Sequence, residues 1–262
     1  MTVPNRLEKE LLAEHFSGDE LKSAVERLES GEPLAYIIGE WYFYGLTFRL
    51  NDACLIPRPD TEHVVDKAIE LTPFGGKIAD LCTGCGCIAV SVLKKRPDLR
   101  GIAVDISKMA LGCAAFNAEA NGISPRILKP GEKLRPPDAP GELNITEADI
   151  FKISLPEKSF DSIISNPPYI KSAILPSLDT AKHEPLIALD GGRDGMRFYR
   201  FILSAFRDAL KDNGRFIFEI GYDQADDICA LAAENGLICR VTKDYGGNDR
   251  VATLGFPNGR DD

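Results

Sequence analysis

The tetrapeptide Asn166-Pro167-Pro168-Tyr169 is where residue types and spacing in this chain point most directly to chemistry. Two consecutive prolines remove two backbone N–H donors and fix φ twice, so the carbonyls of Asn166 and Pro167 are left as acceptors with little freedom. Asn166 adds a side-chain carbonyl and Tyr169 adds a flat ring. Together they suit a planar NH2 group, either a carboxamide or the exocyclic amine of a base. Two acceptors take its hydrogens and the ring covers its face. The plain alternative is a stiff turn ending a strand. Asparagine before the prolines and an aromatic after them are unusual for such a turn, and the functional reading is preferred.

A second constellation is Cys82-Thr83-Gly84-Cys85-Gly86-Cys87, which follows a buried-strand pattern over Lys77–Leu81 containing Asp80 and opens a helix running to Lys95. The next strand, 101–104, ends on Asp105. Strand, glycine loop, helix and strand with a terminal acid make a nucleotide-binding unit: glycines let the backbone approach the ligand, and the acid accepts from ribose hydroxyls. Gly84, Gly86 and Ala89 also satisfy G-x-G-x-x-A, which keeps a nicotinamide cofactor open. The pattern C-x-x-C-x-C offers three thiolates to zinc or an iron cluster. Because the cysteines sit in one tight turn with no second Cys/His group nearby in sequence, no metal is expected.

A third strand, 144–148, leads to Asp149-Ile150 on the same sheet edge, where Ile150 could wall an adenine ring; a strand-end turn is the other reading. The stiff, charged loop 55–62 is either a wall over a cationic cofactor or the capped start of a helix over 61–71, with Asp60 or Thr61 as N-cap.

The elements that must position these groups follow from periodicity. An apolar strand over 160–164 aims the tetrapeptide at a site. Residues 5–29 predict a helical pair broken at Ser17-Gly18-Asp19, with Ser17 or Asp19 as cap, and 35–50 predicts a hairpin. A helix is expected over 107–121 and a proline-rich surface loop over 124–141, while 170–195 is irregular and polar. Helix 196–210, strand 214–220, helix 225–234 and an antiparallel pair over 237–241 and 250–256 complete the chain. The organisation expected is a helical segment 1–30, a bridging β-hairpin 31–54 and a main α/β domain 55–262 with a doubly wound, seven-stranded sheet.

With 262 residues, 44% of them hydrophobic, the chain can bury a full core, and its 27% charged residues and net charge of −9 argue against a face built for a polyanion. No stretch reaches the roughly 18 continuous apolar residues of a membrane span. The first sixteen residues lack the apolar core of a signal peptide, and seven cysteines scattered among apolar segments read as thiols in a reducing cytoplasm.

Five strands alternating with helices and finished by an antiparallel pair resemble the fold of S-adenosylmethionine-dependent methyltransferases. Asp80-x-x-x-Gly84-x-Gly86 is similar to their cofactor loop, and Asn166-Pro167-Pro168-Tyr169 to the signature of those that methylate planar nitrogens. Residues 31–37 (GEPLAYI), 56–62 (IPRPDTE), Glu184-Pro185 with 188–192 (ALDGG), and Asp249-Arg250-Val251 narrow the resemblance to the release factor glutamine N5-methyltransferases of the HemK/PrmC type. It implies S-adenosylmethionine at Asp80, Cys82, Thr83, Gly84, Cys85, Gly86, Asp105, Asp149, Ile150 and Asn166. It also implies a glutamine held by Asn166, Pro167, Pro168 and Tyr169, with Asn166, Pro167 and Tyr169 catalytic. The implied partner is a peptide-chain release factor carrying Gly-Gly-Gln, with no membrane and no stable nucleic-acid partner. The alternatives are an amino-methyltransferase of adenine or guanine in nucleic acid, a glutamine methyltransferase of another protein such as a ribosomal protein, a nicotinamide oxidoreductase, and a binding module that keeps the fold. The chain departs from that family in Cys82-Thr83-Gly84 where Gly-Thr-Gly is usual, in a shorter segment before residue 30, and in the proline-rich stretch around 124–141.

Overall fold

In a computed structural model, which describes residues 5–257, the chain opens with two helices, α1 (Arg6–His15) and α2 (Gly18–Glu29). A reciprocal cap starts α1: Asn5 Oδ1 accepts the Glu8 N–H at 3.0 Å and Glu8 Oε2 accepts the Asn5 N–H at 2.7 Å. Ser17 does precede α2, but its side chain makes no capping bond. The hairpin expected over 35–50 is shorter than its sequence suggested. Pro33 leads into a helical turn, α3 (Leu34–Ile38), and Gly39, at φ +83°, ends it before β1 (Glu40–Phe43) and β2 (Leu46–Arg49) pair antiparallel. Leu12, Ala24, Leu28 and Ile37 form a small core of their own.

The main body continues through α4 (Glu62–Leu71), β3 (Lys77–Leu81), α5 (Cys87–Lys95), β4 (Arg100–Asp105), α6 (Lys108–Ala120), β5 (Ser124–Ile127) and β6 (Glu142–Glu147). Then come β7 (Phe160–Ser165), α7 (Thr180–His183), α8 (Arg197–Phe206), β8 (Leu210–Glu219), α9 (Ala225–Glu234), β9 (Ile238–Lys243) and β10 (Asp249–Gly255). The sheet has eight strands, not seven, in the order β5-β6-β4-β3-β7-β8-β10-β9. The added strand, β5, lies at the start of the stretch expected to be a loop. It pairs parallel with β6 alone, and on such an edge Pro125 forfeits no central ladder bond. Only β10 runs against its neighbours, β8 and β9, as the terminal pair predicted.

Both faces of the sheet are covered, which is why its central strands place apolar residues on both sides. Ala79 and Leu81 of β3 enter the core shared with α8 and α9, whereas Ile78 enters the core under α4, α5 and α6. The chain winds from β3 through β4 to β6, then crosses back to β7 on the far side of β3. That reversal leaves a crevice at the carboxyl ends of β3 and β7. At the β9 edge of the sheet, Cys229 of α9 and Cys239 of β9 are joined by a disulfide.

Candidate active site

One cavity of about 240 Å³ opens at the carboxyl ends of β3, β4, β6 and β7. Cys82, Thr83, Gly84 and Cys85 line it from the loop after β3, Asp105 from the end of β4, Asp149 and Ile150 from beyond β6, and Asn166 and Pro168 from beyond β7. Residues that the sequence places at four separate strand ends therefore share one space.

Four of the expected site residues do not line it. Asp80 is wholly buried beneath the loop, where Oδ2 accepts from Thr83 Oγ1 at 2.6 Å and from the Ala89 N–H at 3.2 Å. Its Oδ1 has no partner, and burial pushes the carboxyl up to about 7. Gly86, at φ +81°, packs the loop against α6: a Cβ there would stand 3.1 Å from that of Ala114. Pro167 is buried, and no backbone N–H among the described residues donates to its carbonyl. Tyr169 does not line this cavity. Its ring packs against the core and its hydroxyl donates to Glu219 Oε1 at 3.1 Å, with burial pushing the phenol up.

The acids on the wall are already organised by backbone. Asp105 accepts from the Gly84 N–H through Oδ2 at 2.8 Å and from the Ser107 N–H through Oδ1 at 2.9 Å, so it shapes the glycine loop as well as facing the cavity. Burial raises its pKa. Asp149 accepts from the Phe151 N–H at 3.0 Å, which holds its carboxyl below the usual range, with Lys152 adding to the effect. Asp149 builds the turn after β6, and Ile150 lines the cavity. Cys82 stands at φ +60°, a left-handed backbone that suits the glycine usual at this position.

Loop 55–62 is a wall: Leu55, Pro57, Arg58 and Thr61 line the cavity. Thr61 does precede α4, but it makes no side-chain cap; its hydroxyl donates instead to Glu219 Oε2 at 2.6 Å. Sequence reasoning missed Ile106 and Ser107, although they directly follow Asp105, and it missed Phe151, Arg197 and Phe198. The Arg197 guanidinium lies 4.5 Å from the Phe151 ring centroid, a contact between segments with no sequence signal linking them.

The irregular stretch 170–195 closes the other side through Ile187 and Ala188. Glu184 anchors it by accepting the Ile56 N–H at 3.0 Å and pairing with Arg58. Gly191 lies so close to the tetrapeptide that a Cβ there would stand 2.7 Å from the Tyr169 Cα.

The chain as a whole is similar to known proteins. The family model described as methyltransferase small domain matches residues 63–176. A release factor glutamine methyltransferase of Thermodesulfovibrio yellowstonii is 37% identical over 241 residues, which cover 89% of this chain and 80% of that one. Another, from Agrobacterium fabrum, is 40% identical over 243 residues, covering 89% and 78%. This chain belongs to the release factor glutamine methyltransferase family. The fold alone is shared with a solved ribosomal protein L11 methylase from Lactobacillus delbrueckii subsp. bulgaricus, at a TM-score of 0.52 and 20% identity over 80% of this chain and 84% of that one.

The residues present fit the family's cofactor, S-adenosylmethionine. Nothing stands within 4 Å of where a Cβ of Gly84 would lie, so the loop backbone is open to a ligand. Asp105 has acceptor capacity left for a ribose diol, and Ile106 with Ile150 offers apolar walls to a purine.

Proposed function

We propose that this protein transfers a methyl group from S-adenosylmethionine to the side-chain amide nitrogen of a glutamine, in the Gly-Gly-Gln motif of a peptide-chain release factor. The observation that carries this reading is the position of Asn166: it lines the same cavity as the glycine loop, at the next strand end across the crevice. The relatives' shared description supports the substrate.

Bound S-adenosylmethionine supplies a methyl group already activated on a sulfonium. An amide nitrogen is a poor nucleophile because its lone pair is delocalised, so the protein's task is alignment and electrostatics. Asn166 Oδ1 and the Pro167 carbonyl accept the two N–H hydrogens, turn the nitrogen lone pair toward the methyl carbon and stabilise the positive charge that grows on nitrogen. The nitrogen takes the methyl carbon as the C–S bond breaks, then sheds one proton to water. We assign the helical segment 1–30, whose Leu12, Ala24 and Leu28 pack with Ile37, to docking the protein substrate, and the hairpin region 31–54 to joining it to the catalytic domain 55–262.

Incubation with methyl-labelled cofactor and, in parallel, purified release factor, total RNA and DNA tests the proposal. The expected result is a tryptic Gly-Gly-Gln peptide one methyl group heavier. Label confined to nucleic acid would instead establish a base amino-methyltransferase.

A further inference from the structure

Thr61 lies in the wall loop, Glu219 ends β8 and Asn166 follows β7, and the three meet in one hydrogen-bonded line. Asn166 Nδ2 donates to Thr61 Oγ1 at 3.2 Å, and Thr61 Oγ1 donates to Glu219 Oε2 at 2.6 Å. Thr61 is 2% exposed and Glu219 1%, so neither exchanges its partners for water.

The direction of this line follows from valence. Burial raises the Glu219 pKa, opposed by the Thr61 and Tyr169 hydroxyls and by Arg250; as the carboxylate it only accepts, through Oε2 from Thr61 and through Oε1 from Tyr169. The single proton of Thr61 is therefore committed to Glu219, and its remaining capacity is to accept. The group facing it has to donate, which fixes the Nδ2 end of Asn166 against Thr61 and leaves Oδ1 for the cavity that Asn166 lines. A reversed amide would set two acceptors against each other with no hydrogen between them.

We propose that Thr61 is a specificity-determining positioning residue: by handing its proton to Glu219 it locks the Asn166 amide with its oxygen toward the substrate, so that the site takes a glutamine amide and refuses a glutamate carboxylate. This rests on the glutamine reading of the site given above. A glutamine NH2 brings hydrogens to that oxygen. A glutamate carboxylate brings none and would be drawn only to a flipped Asn166 presenting NH2.

The test uses full-length release factor with Gly-Gly-Gln as substrate and the same protein with Gly-Gly-Glu as competitor, so docking contacts outside the motif cancel in the ratio of inhibition constant to KM. For the parent enzyme that ratio is expected to be about tenfold or more. Thr61→Val is expected to bring it to within about threefold of unity and to lower kcat by roughly ten- to a hundredfold, with S-adenosylhomocysteine affinity by calorimetry unchanged as a sign of an intact fold. Thr61→Ser, which keeps the hydroxyl, should restore the parent ratio, and Thr61→Ala should behave as the valine variant does. An unchanged ratio in both the valine and alanine variants, or a failure of serine to restore it, overturns the role of Thr61 while leaving the glutamine reaction standing. A parent enzyme that does not methylate the Gly-Gly-Gln protein sinks both.

Discussion

Glu184 reaches the backbone of Ile56 from the opposite wall of the cleft, its Oε2 accepting the Ile56 N–H at 3.0 Å. The carboxyl group is buried and pairs with Arg58, so one side chain ties the irregular stretch 170–195 to the wall loop. Replacement by alanine strands a buried N–H, at a cost of about 1–3 kcal/mol. For a domain of this size that corresponds to a fall in melting temperature of roughly 2–4 °C per kcal/mol. Glu184→Ala should therefore melt several degrees lower by calorimetry, and KM for the protein substrate should rise more than cofactor affinity falls. A variant that melts with the parent would show the two walls to be held elsewhere.

Asn166→Ala removes the side-chain acceptor while leaving the loop that holds the cofactor. S-adenosylhomocysteine affinity should stay within about threefold of the parent, and turnover on release factor should fall by about two orders of magnitude or more. Parent-level turnover would take Asn166 out of the reaction.

Asp80 sets a pH dependence. Its folded-state value of about 7 lies above the ordinary 3.8, so what it contributes to stability is full below that lower value and is lost as pH rises through 7. The protein should therefore become less stable as pH rises from about 4 to about 7. Calorimetric melting across that interval checks this: Asp80→Asn should flatten the fall, leaving the part due to Asp105, whose pKa is raised in the same direction.

Cys82 holds a left-handed backbone in the cofactor loop. Glycine there relieves about 1–2 kcal/mol of backbone strain, partly offset by about 0.4–1 kcal/mol of added freedom in the unfolded chain. Cys82→Gly should melt slightly higher than the parent and bind the cofactor at least as well. A lower melting temperature would mean that the packing of the thiol against the core outweighs the strain.

The sequence alone determined the sheet and most of what its strands carry. Lys77–Leu81 and 160–164 each place apolar residues on both sides of the strand because helices cover both faces, and glycine loop, Asp105 and Asn-Pro-Pro-Tyr each mark a strand's carboxyl end through local backbone chemistry. Such signals are written in consecutive residues. Tertiary structure decided everything that depends on which distant groups meet. Pro125 reads as loop chemistry, and only the presence of β6 beside it makes Ser124–Ile127 a strand. Cys229 and Cys239 read as free thiols until α9 lies on β9. Thr61 reads as a helix cap, and only the arrival of Glu219 from β8 turns its hydroxyl away from α4. Tyr169 reads as a ligand-covering ring, and the same carboxylate holds its hydroxyl. A buried carboxylate recruits whatever donors the fold brings within reach, and no local pattern encodes that choice.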